Sequence, residues 1–190
     1  MKNFLWILLP LYLVGCSSYG VITAKYDSFQ DATVVKMKLE HSAIDGDRTL
    51  DADYVNVIKN NTSEIKMKVT TSASAKEKEF QEKAFFSVDG KKFEVLIQNR
   101  KLTSQVRVEE HYQNNDGYVD YTKPTGSTSK TYNYLNGELK VSNNIADAIK
   151  KGKEILFRVY VDDNPITFKI NESNKLKLVE FLNTKSAQKK

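Results

Sequence analysis

Residues 35–40 are Val35-Lys36-Met37-Lys38-Leu39-Glu40, a strict alternation of apolar and charged side chains. Successive side chains of a β-strand point to opposite faces, so this alternation predicts a strand with one buried face. The pattern recurs at residues 64–69, where Ile65, Met67 and Val69 alternate with charged residues. Further strands are predicted at residues 54–59, 106–112 and 155–161. The chain is therefore expected to be mainly β (α+β), with an antiparallel sheet or a β-sandwich.

Three dipeptides mark predicted hairpin turns between these strands. They are Asp89-Gly90, Asp116-Gly117 and Asn136-Gly137, each lying between two runs of strand-forming residues. Asp-Gly and Asn-Gly tolerate the positive φ angles of type I′ turns, which are the usual two-residue connections of β-hairpins.

The C-terminal third predicts two short helices around one more hairpin. The first helix is expected near residues 144–151, with Ser142 or Asn143 as its N-cap and Gly152 at its end. A hairpin with its turn at residues 162–165 follows, and a second helix near 174–183 is expected to be capped by Ser173. Docking of that helix onto the sheet is predicted from a wide apolar stripe, formed by Leu176, Leu178, Val179, Phe181 and Leu182.

The N-terminus carries a different kind of signal. Lys2 precedes an apolar run from Phe4 to Val14, which is broken only by Pro10 and ends in Leu13-Val14-Gly15-Cys16. This run is shorter than the ~20 residues that a membrane-spanning helix needs. A short positive segment, an apolar segment and a small residue before the cleavage point are typical of an export signal.

These residues resemble the signal peptide and lipobox of bacterial lipoprotein precursors, and the resemblance covers residues 1–17. It implies cleavage before Cys16, a diacylglyceryl thioether on that cysteine and usually an N-acyl chain, so that the protein contacts membrane lipid through acylated Cys16. By resemblance to the sorting rules of diderm bacteria, Ser17 rather than Asp after the cysteine implies that the protein is anchored in the outer membrane. A bacterium with one membrane would hold the protein on the outer face of its plasma membrane. The alternative is an ordinary secretory signal that happens to contain a cysteine.

The expected organisation has four parts: a signal peptide at 1–15, a short membrane tether at 16–28, a single β-rich domain at 29–184 and a basic tail at 185–190. Cys16 is the only cysteine of the 190 residues, so its acylation would exclude disulfides, thiolate zinc sites and cysteine nucleophiles from the mature domain. The formal net charge of +5 comes from interspersed acidic and basic residues, which is typical of a solvated surface. Nucleic acid is not expected as a partner of an exported chain.

The residues that could carry catalysis are few. His41 and His111 each lie in a predicted strand, where a packing role is favoured over a catalytic or metal-binding one. Glu109 and Glu110 are adjacent and would point to opposite faces of a strand, so they cannot act as a paired acid and base. The stretch 126–131, Gly-Ser-Thr-Ser-Lys-Thr, lacks the spacing of a phosphate-binding loop and is interpreted as a polar loop after Pro124. No catalytic residue and no cofactor is predicted.

Four aspartates crowd the segment around Gly46, namely Asp45, Asp47, Asp51 and Asp53. Carboxylate oxygens on a flexible loop suit calcium, but the spacing does not match an EF-hand loop. An ordinary acidic turn is favoured, and no metal site is predicted.

The residues from 112 to 134 are rich in tyrosine, interleaved with small polar residues. A tyrosine offers a rigid apolar face and a hydroxyl group, which suits protein or glycan recognition. Aromatic residues are also good strand formers, and this structural interpretation is favoured for the segment. The possible partner surface consists of Tyr112, Tyr118, Tyr121, Tyr132 and Tyr134.

The sequence thus predicts a non-catalytic, membrane-anchored lipoprotein of the bacterial envelope, acting as a binding or structural module whose partner is an envelope protein or glycan. The alternative is an envelope hydrolase acting on glycan or peptide, with carboxylates that the sequence does not pair.

The anchor is directly testable. If Cys16 carries lipid, the full-length protein should become labelled by a fatty-acid analogue and partition into detergent, and Cys16→Ala should abolish both. Labelling that persists in the variant would contradict the lipobox interpretation.

Overall fold

The computed structural model describes residues 18–60, 62–115 and 118–185, with the backbone alone for those between 113 and 125. The signal peptide, Cys16 and most of the basic tail lie outside the described residues. Ten strands and two helices follow one another along this part of the chain: β1 Thr23–Asp27, β2 Ala32–Ala43, β3 Thr49–Lys59, β4 Thr62–Ala73, β5 Lys83–Val88, β6 Lys91–Leu96, β7 Gln98–Asn115, β8 Tyr118–Val141, α1 Asn143–Lys151, β9 Ile155–Val161, β10 Asn164–Ile170 and α2 Glu172–Leu182.

All ten strands belong to one antiparallel sheet, which confirms the predicted mainly β fold. The strand order is β6-β5-β9-β10-β2-β3-β4-β8-β7, and β1 pairs with the first half of β2. Although β6 and β7 stand at opposite ends of this order, only Ile97 separates them in the chain. The sheet must therefore curl until its two ends approach each other.

The core lies on the concave face of the curled sheet. The alternating strands bury the apolar residues that the sequence indicated, among them Val35, Met37 and Leu39 of β2. Both helices add side chains to the same core, with Ile145 and Ile149 from α1 and Phe181 from α2. None of the helices in the described residues is long and apolar enough to cross a bilayer.

The hairpin at Asp89-Gly90 forms as predicted between β5 and β6. Asp89 and Gly90 have φ angles of 49° and 81°, as a type I′ turn requires. The Asp89 carboxylate also accepts hydrogen bonds from the backbone N–H groups of Glu154 and Lys153, which lower the pKa of Asp89. This turn is thereby joined to the segment that leads into β9.

The prediction of a turn at Asn136-Gly137 was wrong, because β8 runs straight through both residues. Gly137 pairs with Val69 of β4, and neither residue has a positive φ angle. The glycine is needed here for close packing: a Cβ atom at this position would lie 2.3 Å from the Ile97 side chain and 3.4 Å from Phe80. Tertiary packing at the meeting of the sheet ends therefore decides this local conformation.

The domain begins earlier than expected, because residues 23–27 of the predicted tether form β1 and pair with β2. Tyr19 also bridges to Lys38, and the Gly20 N–H donates to the Lys38 carbonyl at 2.8 Å. The part of the predicted tether that follows Ser18 is therefore bound to the sheet.

The helices begin and end close to their predicted limits, with two corrections. Ser142 caps α1 as expected, but the cap of α2 is Asn171 and not Ser173, so that helix starts two residues earlier than predicted. On α2 the buried residues are Leu178, Phe181 and Leu182, whereas Leu176 is exposed and does not belong to the docked stripe.

Gly137 provides a test of the curled sheet. Gly137→Ala should lower the free energy of unfolding by about 1–3 kcal/mol in urea titrations, since a methyl group there overpacks the contact with Ile97. Gly126→Ala in the same strand is the matched control, because nothing lies within 4 Å of its added Cβ atom. Equal stabilities of the two variants would contradict the packing described here.

Candidate functional site

The last two strands of the sheet order, β8 and β7, extend far beyond the body of the domain. β8 pairs with β4 only over residues 133–141, whereas its pairing with β7 continues to Asn115 opposite Tyr118. We call residues 103–115 of β7 and 118–132 of β8 the hairpin arm. At ~3.3 Å per residue, its β7 strand is about 40 Å long. The arm is therefore a two-stranded ribbon that the rest of the sheet does not support.

The local sequence explains why the arm forms. Alternating Val, Thr and Tyr residues favour strands, and the pairing of Asn115 with Tyr118 leaves a two-residue connection. The hairpin predicted around residues 116 and 117 is thus confirmed, although these two residues lie outside the described ones. Register shifts follow His111 and Tyr112, where β8 contains the additional residues. Such irregularities strengthen the local twist of a ribbon.

One face of the arm continues the core face of the sheet, and we call it the core-side face. Leu102 lies directly opposite Leu135, whose side chain is fully buried, and residues two apart along a strand share a face. Val106 and Val108 therefore project on this same side, beyond the point where the body covers it. The exposed fractions of Leu102, Val106 and Val108 are 43%, 62% and 61%.

The opposite face of the arm, which we call its outer face, is polar and aromatic. Tyr132 and Tyr134 lie together on it, as the sequence predicted for neighbouring strand positions, and both are half-buried. The Arg107 guanidinium stacks over the Tyr132 ring at 5.3 Å from its centroid. Lys130 donates to Glu109 at 2.6 Å, and this hydrogen bond lowers the pKa of Glu109 and raises that of Lys130.

The five tyrosines of the predicted partner surface do not share one face. The Tyr112 hydroxyl donates to Glu110 at 2.6 Å, which places Tyr112 on the core-side face, away from Tyr132 and Tyr134. The backbones of Tyr118 and Tyr121 belong to β8, and their side chains lie outside the described residues. Partner binding by these tyrosines stays a prediction. The sequence interpretation overlooked the exposed apolar residues of β7, although the alternation of Val106 and Val108 was visible in it.

Residues 126–131, interpreted from the sequence as a polar loop, are part of β8. That interpretation was wrong because β8 continues through these Ser and Thr residues with β7 as its partner strand. Glu109 and Glu110 do point to opposite faces, as expected: the first pairs with Lys130 and the second accepts from Tyr112.

His41 is a core residue, hydrogen-bonded on both ring nitrogens. Its Nε2 lies 3.2 Å from the Tyr54 hydroxyl, and its Nδ1 lies 3.3 Å from the Asn174 amide nitrogen of α2. That amide nitrogen can only donate, so Nδ1 accepts and the proton of the neutral ring sits on Nε2. Burial lowers the pKa of His41 to about 4 and raises that of Tyr54. His111, by contrast, is exposed on the arm and bonds Thr128 at 2.8 Å.

The four aspartates around Gly46 do not converge. Asp51 accepts from the Tyr19 hydroxyl at 2.7 Å and pairs with Lys38 at 3.1 Å, whereas Asp45 and Asp47 are exposed in the turn after β2. Within residues 18–60, 62–115 and 118–185, no group of three His, Cys, Asp or Glu side chains is placed to hold a metal ion.

The outer surface of the body carries a shallow cavity of about 170 Å³ over β5, β9 and β10. Its lining is mostly apolar or basic and contains no carboxylate and no histidine: Phe85, Ser87, Lys92, Leu156, Arg158, Tyr160 and Thr167. Phe85 and Tyr160 form an edge-on ring pair across it, 6.3 Å apart.

Comparisons of the chain with protein-family models, with curated proteins and with solved structures give no match. The interpretation of the site therefore depends on its own geometry.

His41 predicts a pH dependence of stability. The unfolded chain takes up a proton near pH 6.5, whereas the folded protein does so only near pH 4, so stability is lost as the pH falls between these values. The free energy of unfolding in urea should therefore drop by about 2 kcal/mol from pH 7 to pH 5. His41→Gln should remove most of this drop, and His111→Gln should retain it. A drop of the same size in His41→Gln would show that other groups cause it.

Proposed function

We propose that this protein is a non-catalytic lipoprotein of the bacterial envelope, anchored through acylated Cys16, whose hairpin arm binds a protein partner. The observation that carries the proposal is the ribbon of residues 103–115 and 118–132, which projects from the body with apolar side chains uncovered on its core-side face.

The energetics of the arm favour a partner. An isolated two-stranded hairpin is marginally stable in water, and it normally requires a third strand or a packed face. Val106 and Val108 stay more than half exposed, at 62% and 61%, although they continue the face that is buried in the body. Covering such side chains is worth roughly 25 cal/mol per Å² of apolar surface. A bound protein would supply the packing that the domain itself does not.

The attachment of Tyr19 supports a domain that is held close to the membrane. Tyr19 is held on the sheet by its bridge to Lys38 and its hydrogen bond to Asp51, with the Lys38 ammonium group 4.9 Å from the ring centroid. Tyr19 is three positions after Cys16 in the sequence, so the two Cα atoms can be at most about 11 Å apart. An acylated Cys16 would therefore hold the domain against the lipid surface, which we take to be the outer membrane of a diderm bacterium.

The hydrolase alternative would require convergent acid and base groups in a cleft. The 170 Å³ cavity over β5, β9 and β10 has no carboxylate in its lining, and the two ring nitrogens of His41 are hydrogen-bonded to Tyr54 and Asn174. A second surface depression is lined by four carboxylates, Glu79, Glu82, Asp162 and Asp163. Glu79 lies 3.8 Å from the Arg100 guanidinium and Asp163 accepts from Gln81 at 3.1 Å, and no histidine lines this depression. These observations favour binding over catalysis.

An arm-less variant tests the proposed function. Ser104 and Asn133 lie directly opposite each other, so residues 105–132 can be replaced by an Asn-Gly turn. We expect the melting temperature to change by only a few degrees, because the arm packs against little but itself. In intact cells, the arm-less variant should lack the crosslinked adducts that the full-length protein forms.

The companion measurement places a photo-reactive amino acid at Val106 of the full-length protein. We expect adducts from this position and few from the control position Leu176, which is equally exposed at 63% but lies on α2. An arm-less protein that keeps all its adducts, or equal yields from both positions, would contradict the proposal.

A further inference from the structure

The outward edge of β7 is open along the arm. β7 pairs with β8 on one side, and among the described residues no strand pairs with it on the other side. An open edge presents unpaired N–H and C=O groups, which form a template for another strand. The question is which strand fits this edge.

The sequence of the edge is complementary to itself in an antiparallel register centred on Val108, the only symmetric register that places Arg107 opposite Glu109. Suppose that two copies of β7 pair about a two-fold axis at Val108. Val108 of one copy then lies opposite Val108 of the other, and Arg107 of each copy lies opposite Glu109 of the other. Opposite charges facing each other across two strands are favourable, and like charges are not. Centring the pairing on Arg107 would place two arginines opposite each other, and centring it on Val106 would place Arg107 opposite Gln105.

The charges of this edge are available for such a contact. The Arg107 guanidinium stacks on Tyr132, and no carboxylate of the described residues lies within salt-bridge distance of it. Glu109 accepts from Lys130, which belongs to β8 on the inner side of β7. A carboxylate can accept several hydrogen bonds, so Glu109 retains capacity toward a strand on the outer side.

We propose that the hairpin arm pairs with the arm of a second copy of this chain, β7 against β7, in the antiparallel register centred on Val108. The inference rests on the proposed function and names its partner. The pairing produces a four-stranded ribbon in which Val108 of each copy lies opposite the other, with Val106 diagonally beside it. Such an interface uses the same residues on both copies, so pairing occupies this edge in each of them. The assembly is therefore a dimer and does not grow further through this edge.

Cysteine crosslinking tests the register. In the full-length protein in cell envelopes, Val108→Cys should give a crosslinked dimer on oxidation or with a short bis-maleimide, since directly opposite Cβ atoms are about 5 Å apart. Ser104→Cys is the matched control on the same face of the same strand. In this register its two copies lie eight residues apart, about 26 Å, and should not crosslink. Crosslinking of Ser104→Cys but not Val108→Cys would overturn the register, and crosslinking of neither would overturn the dimer.

Charge exchange tests the contact itself. Arg107→Glu and Glu109→Arg should each weaken dimerisation of the purified full-length protein about tenfold or more in sedimentation measurements, because each creates two like-charge contacts. The double variant should restore dimerisation, because residues 107 and 109 then carry opposite charges again, with their signs exchanged. Lys130→Ala removes the hydrogen bond from Lys130 to Glu109 within each copy, and it should leave dimerisation nearly unchanged. A double variant as weak as the single ones would overturn the proposal.

The two proposals fail in different ways. If the photo-reactive residue at Val106 captures a different protein and Val108→Cys gives no dimer, the dimer is wrong and the proposed function stands. If the arm-less variant keeps every adduct of the full-length protein, both are wrong.

Discussion

The single residue between β6 and β7 is the constraint on which the rest of the structure depends. Ile97 joins strands that stand at opposite ends of the sheet order, so the sheet has to curl and enclose its core. Its N–H donates to the Glu82 carbonyl at 2.7 Å, and its side chain fills the space that Gly137 leaves open. From this meeting point β7 pairs with β8, its one partner strand in the described part of the chain. β8 extends beyond the residues that pair with β4. β7 and β8 therefore leave the body together as the hairpin arm.

The fold could be predicted from the sequence wherever local pattern and tertiary packing agree. Period-two alternation is caused by one buried face, so it located β2 and β4 correctly, and Asp89-Gly90 formed the expected turn. Asn136-Gly137 carries the same turn chemistry and yet lies inside β8. Such a dipeptide permits positive φ angles but does not impose them. The deciding contact comes from Ile97, about forty residues earlier in the chain, and no local pattern reveals it.

The candidate site was predictable in composition but not in geometry. The tyrosine-rich segment drew attention to the correct part of the chain, but its faces depend on the register of β7 against β8. That register shifts after His111, and Tyr112 projects away from Tyr132 and Tyr134. The exposure of Val106 and Val108 follows from the unequal lengths of β4 and β8. Strand lengths are set by pairing partners, and a single sequence does not state which strands pair.

A long ribbon with open edges risks indiscriminate pairing, and the arm carries the features that restrain it. Irregularities near its distal end twist the edge, and charged side chains at residues 107, 109 and 110 interrupt it. The alternation of sign at Arg107 and Glu109 has a further effect. It penalises the registers in which like charges meet and leaves one symmetric register in which both charges are matched. The same side chains that protect the edge from arbitrary strands therefore make it selective for its own copy.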